Sequence, residues 1–299
     1  MALRIAFFGL PLAALLLQRD GHDVALAAIC RSDAVGLRRL TRRLGAERVW
    51  MKPSADDPAL HARVEEARPD LVVSWFWTTR LPMELARAAR LGAIGAHPSL
   101  LPRHRGPDPT YWAIASGDTE TGVTVHRIEE DYDTGAIFGQ ATLPIDPRWN
   151  AWQLARALDR PSLRLLRETV RRFAEGALIP EVAQDPTLAT MAPAPDDEAC
   201  ALRWTWPTAR VLRQIRALAP APGAWTELAG RTLTILQAAP AASVPRGLAP
   251  GEALVVGEAP IIGTADSAIV VLEAELDGSP TSAKELDELF SEPARLMIG

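Results

Sequence analysis

GAIGAHPSLLPRHRG, residues 92–106, is where an apolar run gives way to a basic, proline-containing loop. The run AIGAHPS reads as a strand, and Pro98 and Pro102 stiffen the loop beyond it and remove backbone donors. His97 stands at the junction. If the strand belongs to an open parallel sheet, that junction is the carboxyl end, where such sheets bind ligands. The fold therefore turns on the residues before position 92.

Those residues alternate between two patterns. LRIAFFGL is a buried-strand run, and PLAALLLQRDG is a helix opened by proline and closed by glycine. HDVALAAIC is a second strand, followed by the amphipathic AVGLRRLTRRLGA and a short strand RVWMKP. DPALHARVEEARPD is a helix entered at Asp57-Pro58, LVVSWFW a third main strand, and LPMELARAARLG the next helix. Strands alternating with helices specify an α/β unit with a parallel sheet. AIGAHPS is then its fourth main strand.

Beyond the loop, PTYWAIASGD reads as a helix, GVTVHRIEE as a strand, DYDTG as a turn, AIFGQATLPI as a strand, and residues 150–176 as a long helix. Residues 181–200 are Pro- and Ala-rich without periodicity, the composition of a linker. After them come the helix PTARVLRQIRALAP and five short β-runs, AWTEL, RTLTILQAA, EALVVG, APIIGTAD and SAIVVLEAEL. These predict a small β-rich domain of Greek-key barrel type. The expected organisation is a domain over 1–180, a linker over 181–200 and a second domain over 201–299.

Composition excludes several classes. The chain has 299 residues, 48% hydrophobic and 23% charged, as in water-soluble globular proteins. No apolar run reaches the roughly 20 residues of a membrane span, and Gly9 and Pro11 interrupt the apolar start, which reads as strand, turn and helix rather than a signal peptide. Two distant cysteines, Cys30 and Cys200, predict a reducing, cytoplasmic setting without disulfides or a zinc knuckle. A net charge of −5 lacks the overall basic footprint of a dedicated nucleic-acid binder.

The chemistry centres on His97. DYDTG places Asp133 in a tight turn at the end of another strand, and a histidine with a carboxylate at neighbouring strand ends supplies a base and a group that orients it. Only Gly9 comes after the first strand, so the G-x-G-x-x-G phosphate loop is absent, as is any Walker motif. The five histidines, His22, His61, His97, His104 and His126, form no H-x-x-x-H pair, which argues against a catalytic metal. Trp75, Trp77 and Trp112 flank the expected site, to stack on a ligand or simply to fill core.

HPSLLPRHRG, continued through PTYWAIASGDTETGVTVHRIEEDYDTGAIFGQ, resembles the family of formyltransferases that use 10-formyltetrahydrofolate. LRWTWPTARVLRQIRALAPAPGAWTEL is similar to the start of the C-terminal domain of the two-domain, methionyl-tRNA formyltransferase-like members. The resemblance implies a Rossmann-like, mostly parallel sheet followed by an OB-like C-terminal domain. It implies that His97 and Asp133 are catalytic. Ser99, Leu100, Leu101 and Pro102, with Thr79, Arg80 and Leu81, would line the folate pocket. The reaction implied is attack of an amine on a formyl group through a tetrahedral oxyanion.

One element of the family pattern is missing. Its transferases read N-x-H, an Asn two residues before the histidine and on the same strand face. Here the motif is Gly95-Ala96-His97. Three readings are open. The chain is an N-formyltransferase whose oxyanion is held by His97, a water or a replacement such as Asp131, His126 or His104. Alternatively it is a 10-formyltetrahydrofolate hydrolase, whose domain carries similar HPSLLPRHRG wording and an apolar residue at the Asn position. The third reading is a non-catalytic folate-binding protein.

On the transferase reading, charge bears on the acceptor. Residues 201–299 hold eight Lys and Arg against eleven Asp and Glu, a poor surface for phosphates. The basic segment after the second strand is also shorter than in the methionyl-tRNA enzymes. A small-molecule amine is therefore the favoured acceptor and initiator tRNA the second, kept open by the arginines of residues 30–49.

Overall fold

The computed structural model describes residues 1–77, 79–243 and 247–290. The chain forms two compact units. One comprises residues 1–109, 120–144 and 156–193, and the other 110–119, 145–155 and 194–299.

The first unit is built from β1 (Arg4–Gly9), α1 (Pro11–Arg19), β2 (Asp23–Ile29), α2 (Leu37–Leu44), β3 (Val49–Met51), α3 (Pro58–Ala67), β4 (Leu71–Trp75), α4 (Met83–Arg87) and β5 (Ala93–His97). β6 (Glu120–Arg127) and β7 (Ile137–Pro144) come after α5 (Pro109–Ala115), and α6 covers Ala151–Ala174. The strands order as β3-β2-β1-β4-β5-β6-β7. β1 to β5 run parallel, and β6 and β7 antiparallel.

The sequence explains this sheet. β1, β2 and β4 are apolar at nearly every position and buried on both faces, as strands covered by helices must be. Phe7, Leu17, Ile29 and Leu166 pack on one side of the sheet, and Phe8, Leu26, Leu60 and Leu85 on the other. Helix starts obey local rules: Pro11 opens α1, and Asp57 caps α3 by accepting from the Ala59 N–H at 2.9 Å. α4 ends at Arg87, earlier than the pattern through Gly92 suggests, because Ala89 to Gly92 turn to feed β5.

The second unit carries α7 (Asp197–Cys200), α8 (Thr208–Leu218), β8 (Ala224–Leu228), β9 (Arg231–Pro240), β10 (Ala253–Val256), β11 (Ala259–Gly263), β12 (Ala268–Leu276), β13 (Ser279–Pro280) and α9 (Ala283–Phe290). Its antiparallel sheet orders as β10-β11-β12-β9-β8, with β13 on β12. Trp204, fully buried, donates its Nε1 hydrogen to Thr226 Oγ1 at 3.1 Å. Helix α9 falls outside the elements expected from periodicity. Its signal is Ser282 before the first turn: the Glu285 N–H donates to Ser282 Oγ at 3.3 Å, and Thr281 Oγ1 donates to the Glu285 carboxylate at 2.8 Å.

No helix among the described residues is long and apolar enough to cross a membrane.

Candidate functional site

β5 presents Gly95 and His97 on one face. Antiparallel β6 sets His126 opposite Gly95 and Thr124 opposite His97. Directly opposed residues share a face, so these two positions on β5 meet two polar side chains on β6. His97, Thr124 and His126 are all buried.

Asp133 reaches this face from the turn between β6 and β7. Its φ of +55° lies in the left-handed region, costly for a residue with a side chain and typical of functional sites. Gly135 makes the turn possible, since a Cβ there would lie 2.0 Å from the Arg127 carbonyl oxygen. Three groups surround the carboxylate. The Gly106 N–H donates to Oδ2 at 2.8 Å, His126 Nε2 stands 3.3 Å from Oδ1, and His97 Nδ1 stands 3.5 Å from Oδ2.

His97 donates its Nε2 hydrogen to the main-chain carbonyl of His104 at 2.7 Å. A carbonyl only accepts, so a neutral His97 is bare at Nδ1, the nitrogen facing Asp133. Burial pushes the His97 pKa below its ordinary value, against the charge of Asp133 and the bond to His104. Burial pushes Asp133 upward, but His97, His126 and the Gly106 N–H outweigh it and bring it down to about 2. At neutral pH the site thus holds a neutral imidazole beside an ionised carboxylate, a base next to the charge that stabilises its protonated form.

The loop after His97 is tied to the sheet. Ser99 Oγ donates to the Arg103 carbonyl and Thr124 Oγ1 to the Ser99 carbonyl, each at 2.7 Å. The Leu101 N–H donates to Thr124 Oγ1 at 3.0 Å, while Gln140 Nε2 donates to the Leu101 carbonyl and to Thr124 Oγ1, both at 2.9 Å. Ser99 and Leu101 are buried, and Leu100 and Pro102 are partly exposed. On the other loop, Thr79 and Arg80 are exposed and Leu81 is buried in the core. Arg80 donates to the Glu130 carbonyl at 2.9 Å, fastening that loop to the stretch after β6.

The remaining candidates divide. His126 lies within the cluster, whereas His104 meets His97 through its carbonyl and Asp131 is exposed in the turn, its carbonyl accepting from Thr134 Oγ1. Trp75 is core, its Nε1 hydrogen donated to Ser162 Oγ at 2.9 Å. Trp77 packs edge-on against Phe8, 5.4 Å between ring centres, and Trp112 edge-on against Tyr111 at 5.3 Å.

Gln184 was beyond the reach of sequence patterning, because it sits in the Pro- and Ala-rich stretch without periodicity. Its side-chain nitrogen donates to the carbonyls of Asp133 and Gly135, both at 2.7 Å. Its oxygen accepts from Arg105 Nε at 3.1 Å and Nη2 at 2.7 Å. One amide thus clamps the Asp133 turn to the loop beyond His97.

Comparison with known proteins agrees with this architecture. Residues 18–170 match the formyl transferase family model, and residues 196–288 match that of the formyl transferase C-terminal domain. Methionyl-tRNA formyltransferase of Anaeromyxobacter dehalogenans (strain 2CP-C) is 36% identical, the alignment covering 94% of this chain and 95% of that protein. Among solved structures, HypX from Aquifex aeolicus in complex with tetrahydrofolic acid superimposes with a TM-score of 0.70 at 21% identity, covering 98% of this chain and 48% of HypX. The N-formyltransferase from Helicobacter canadensis, in complex with folinic acid and dTDP-3-aminofucose, gives 0.69 at 15% identity over 92% of this chain and 100% of that one. The chain belongs to the formyl transferase family, with the family's N-terminal and C-terminal domains in a single polypeptide.

Proposed function

We propose that this chain transfers a formyl group from 10-formyltetrahydrofolate to the amine of methionyl-tRNA, with His97 and Asp133 as the catalytic pair. The observation that carries the chemistry is the bare Nδ1 of buried His97 beside the ionised Asp133. When bound, the folate supplies the formyl carbon. His97 Nδ1 takes the proton that the attacking amine loses as the new C–N bond forms. The same nitrogen returns it to the departing folate nitrogen as the old C–N bond breaks. Asp133 stabilises the imidazolium in between. Ser99 to Pro102 and Thr79 to Leu81, tied down at two strand ends, are the residues assigned to the folate.

The acceptor reading is supported by relatives aligned over nearly the whole chain and by α2. This helix lies beyond the carboxyl end of β2 in the chain, and it presents exposed Arg38, Arg39, Arg42 and Arg43 with no acidic residue of its own. Clustered cations of this kind suit a phosphate backbone. A small-molecule amine is the second reading, favoured by the net acidity of residues 201–299. The two free cysteines, Cys30 and Cys200, suit a cytoplasmic setting.

The test is to incubate the protein with 10-formyltetrahydrofolate and methionyl-tRNA, with small amines, or with no acceptor, monitoring tetrahydrofolate and formate. Tetrahydrofolate release that requires methionyl-tRNA is the expected result. Equal formate release without acceptor overturns transfer in favour of hydrolysis, and normal turnover by His97→Ala overturns the catalytic pair.

A further inference from the structure

His126 sits at the heart of the cluster, yet the proposed reaction assigns it no step. Both its ring nitrogens face oxygens that only accept, Nδ1 the Arg127 carbonyl at 2.8 Å and Nε2 Asp133 Oδ1 at 3.3 Å, so the ring bonds to both only as the imidazolium, with a hydrogen on each nitrogen. The first bond fixes the ring's rotation, and so fixes where the second nitrogen points. The ring is buried and stands edge-on to His97, with 6.3 Å between ring centres. Asp133 therefore has one oxygen turned to His126 and the other to His97 and the Gly106 N–H.

The position faces Gly95. The two residues are directly paired across β5 and β6, and the first side-chain carbon of anything larger at 95 would lie 3.5 Å from His126 Nε2. Because Gly95 contributes no side chain, nothing from that position competes with His126 for the Asp133 carboxylate.

Resting on the formyl-transfer reading above, we infer that His126 is a positioning residue, which as the imidazolium donates from Nε2 to Asp133 Oδ1 and so holds the carboxylate in the orientation that serves His97. Its action is through Asp133 and needs no contact with substrate. Asp133 held on one side only would rotate about its side-chain bonds, and the geometry at His97 Nδ1 would loosen. The donation also helps keep the carboxyl ionised in a buried place.

The test compares two replacements, since a packing role and a donor role predict opposite rankings. His126→Leu keeps apolar bulk and loses the donor; His126→Gln keeps an N–H donor near the Nε2 position. Turnover of 10-formyltetrahydrofolate is measured as tetrahydrofolate release, with methionyl-tRNA present and folding checked by thermal melting. The Leu variant should lose about 10- to 100-fold in kcat, as expected for a lost hydrogen bond to a charged group, with KM for the folate changed less than about threefold. The Gln variant should keep kcat within about fivefold of the parent. Kcat within about threefold of the parent for Leu, or Leu more active than Gln, overturns the inference. Should Leu fail to fold, Gln decides: a folded Gln variant with kcat down more than about 30-fold overturns it too. His97→Ala, run alongside, separates the two levels: full activity there defeats the formyl-transfer reading, whereas an inactive His97→Ala with an active His126→Leu defeats only the role of His126.

Discussion

Gly95 stands directly across the β5–β6 ladder from His126, and a methyl group added at position 95 would come 3.5 Å from His126 Nε2 and from Ile128 Cγ1. Those are ordinary van der Waals distances, and the backbone at Gly95 has no left-handed φ. Gly95→Ala should therefore fold normally, with stability unchanged or raised by up to about 1 kcal/mol through a stiffer unfolded chain. Gly135→Ala is the opposite case. Its methyl group would fall 2.0 Å from the Arg127 carbonyl oxygen, and displacing that backbone should cost about 3 kcal/mol and misplace Asp133. Urea unfolding of the two variants measures the contrast.

Asp133→Asn should preserve the fold and lower kcat by about 10² to 10⁴, the usual contribution of an acid–base partner. It should also move the pH profile. His97 is pushed below its ordinary pKa by burial and held partly up by the Asp133 charge. Removing that charge lowers His97 further. The acid limb of kcat/KM, where His97 becomes protonated and ceases to be a base, should shift to lower pH in the variant. A shift to higher pH would contradict the assignment of His97 as the base.

The same carboxylate makes a prediction for stability. Asp133 titrates near about 2 in the folded chain against 3.8 for an unperturbed group. A depressed carboxylate contributes stability that is fully present above the unfolded value and is lost as pH falls through the folded one. The difference corresponds to about 2 kcal/mol. In urea unfolding, the parent should exceed Asp133→Asn by about that much at pH 7, with the gap closing between about pH 4 and pH 2.

His97 and Asp133 were legible because each sits next to strong local punctuation: a proline-flanked strand end and a glycine-closed turn. The parallel sheet was legible for a similar reason, since doubly buried strands such as AFFG and LVVSW announce themselves by continuous apolarity. The bonds that join the pieces were not. His126 on GVTVHRIEE is one polar residue in a strand, and only the β5–β6 register sets it against Gly95 and beside Asp133. Gln184 acts through main-chain carbonyls, which leave no mark on the residues they belong to. The Ser99–Pro102 loop is likewise held by Thr124 and Gln140, both distant in sequence.

Gln184→Ala tests the clamp on the Asp133 turn. Truncation frees the carbonyls of Asp133 and Gly135 and leaves the Arg105 guanidinium without its amide acceptor. These groups are half-buried, so water recovers part of the loss. Stability should fall by about 1–2 kcal/mol. Kcat should fall more than KM for the folate rises, because the turn that sets Asp133 against His97 is loosened while the Ser99–Pro102 loop keeps its own bonds to Thr124 and Gln140. Thermal melting and steady-state kinetics check both. Unchanged kcat in a destabilised variant would mean that the strand ends alone hold Asp133 in place.

The arginines of α2 bear on the acceptor. Leu40 and Leu44 are buried against the rest of the unit, leaving Arg38, Arg39, Arg42 and Arg43 exposed to meet a polyanion. Each cation that neutralises a phosphate releases condensed counterions, so binding weakens with salt in proportion to the number of contacts. If α2 grips the tRNA backbone, KM for methionyl-tRNA should rise steeply with salt, and Arg38→Ala with Arg42→Ala should lower the log–log slope by about 1–2. The same pair of substitutions should leave the KM for 10-formyltetrahydrofolate unchanged, since neither residue is assigned to the folate loops. A small-molecule acceptor would show a shallow salt dependence that these substitutions do not alter, so the slope itself separates the two acceptor classes.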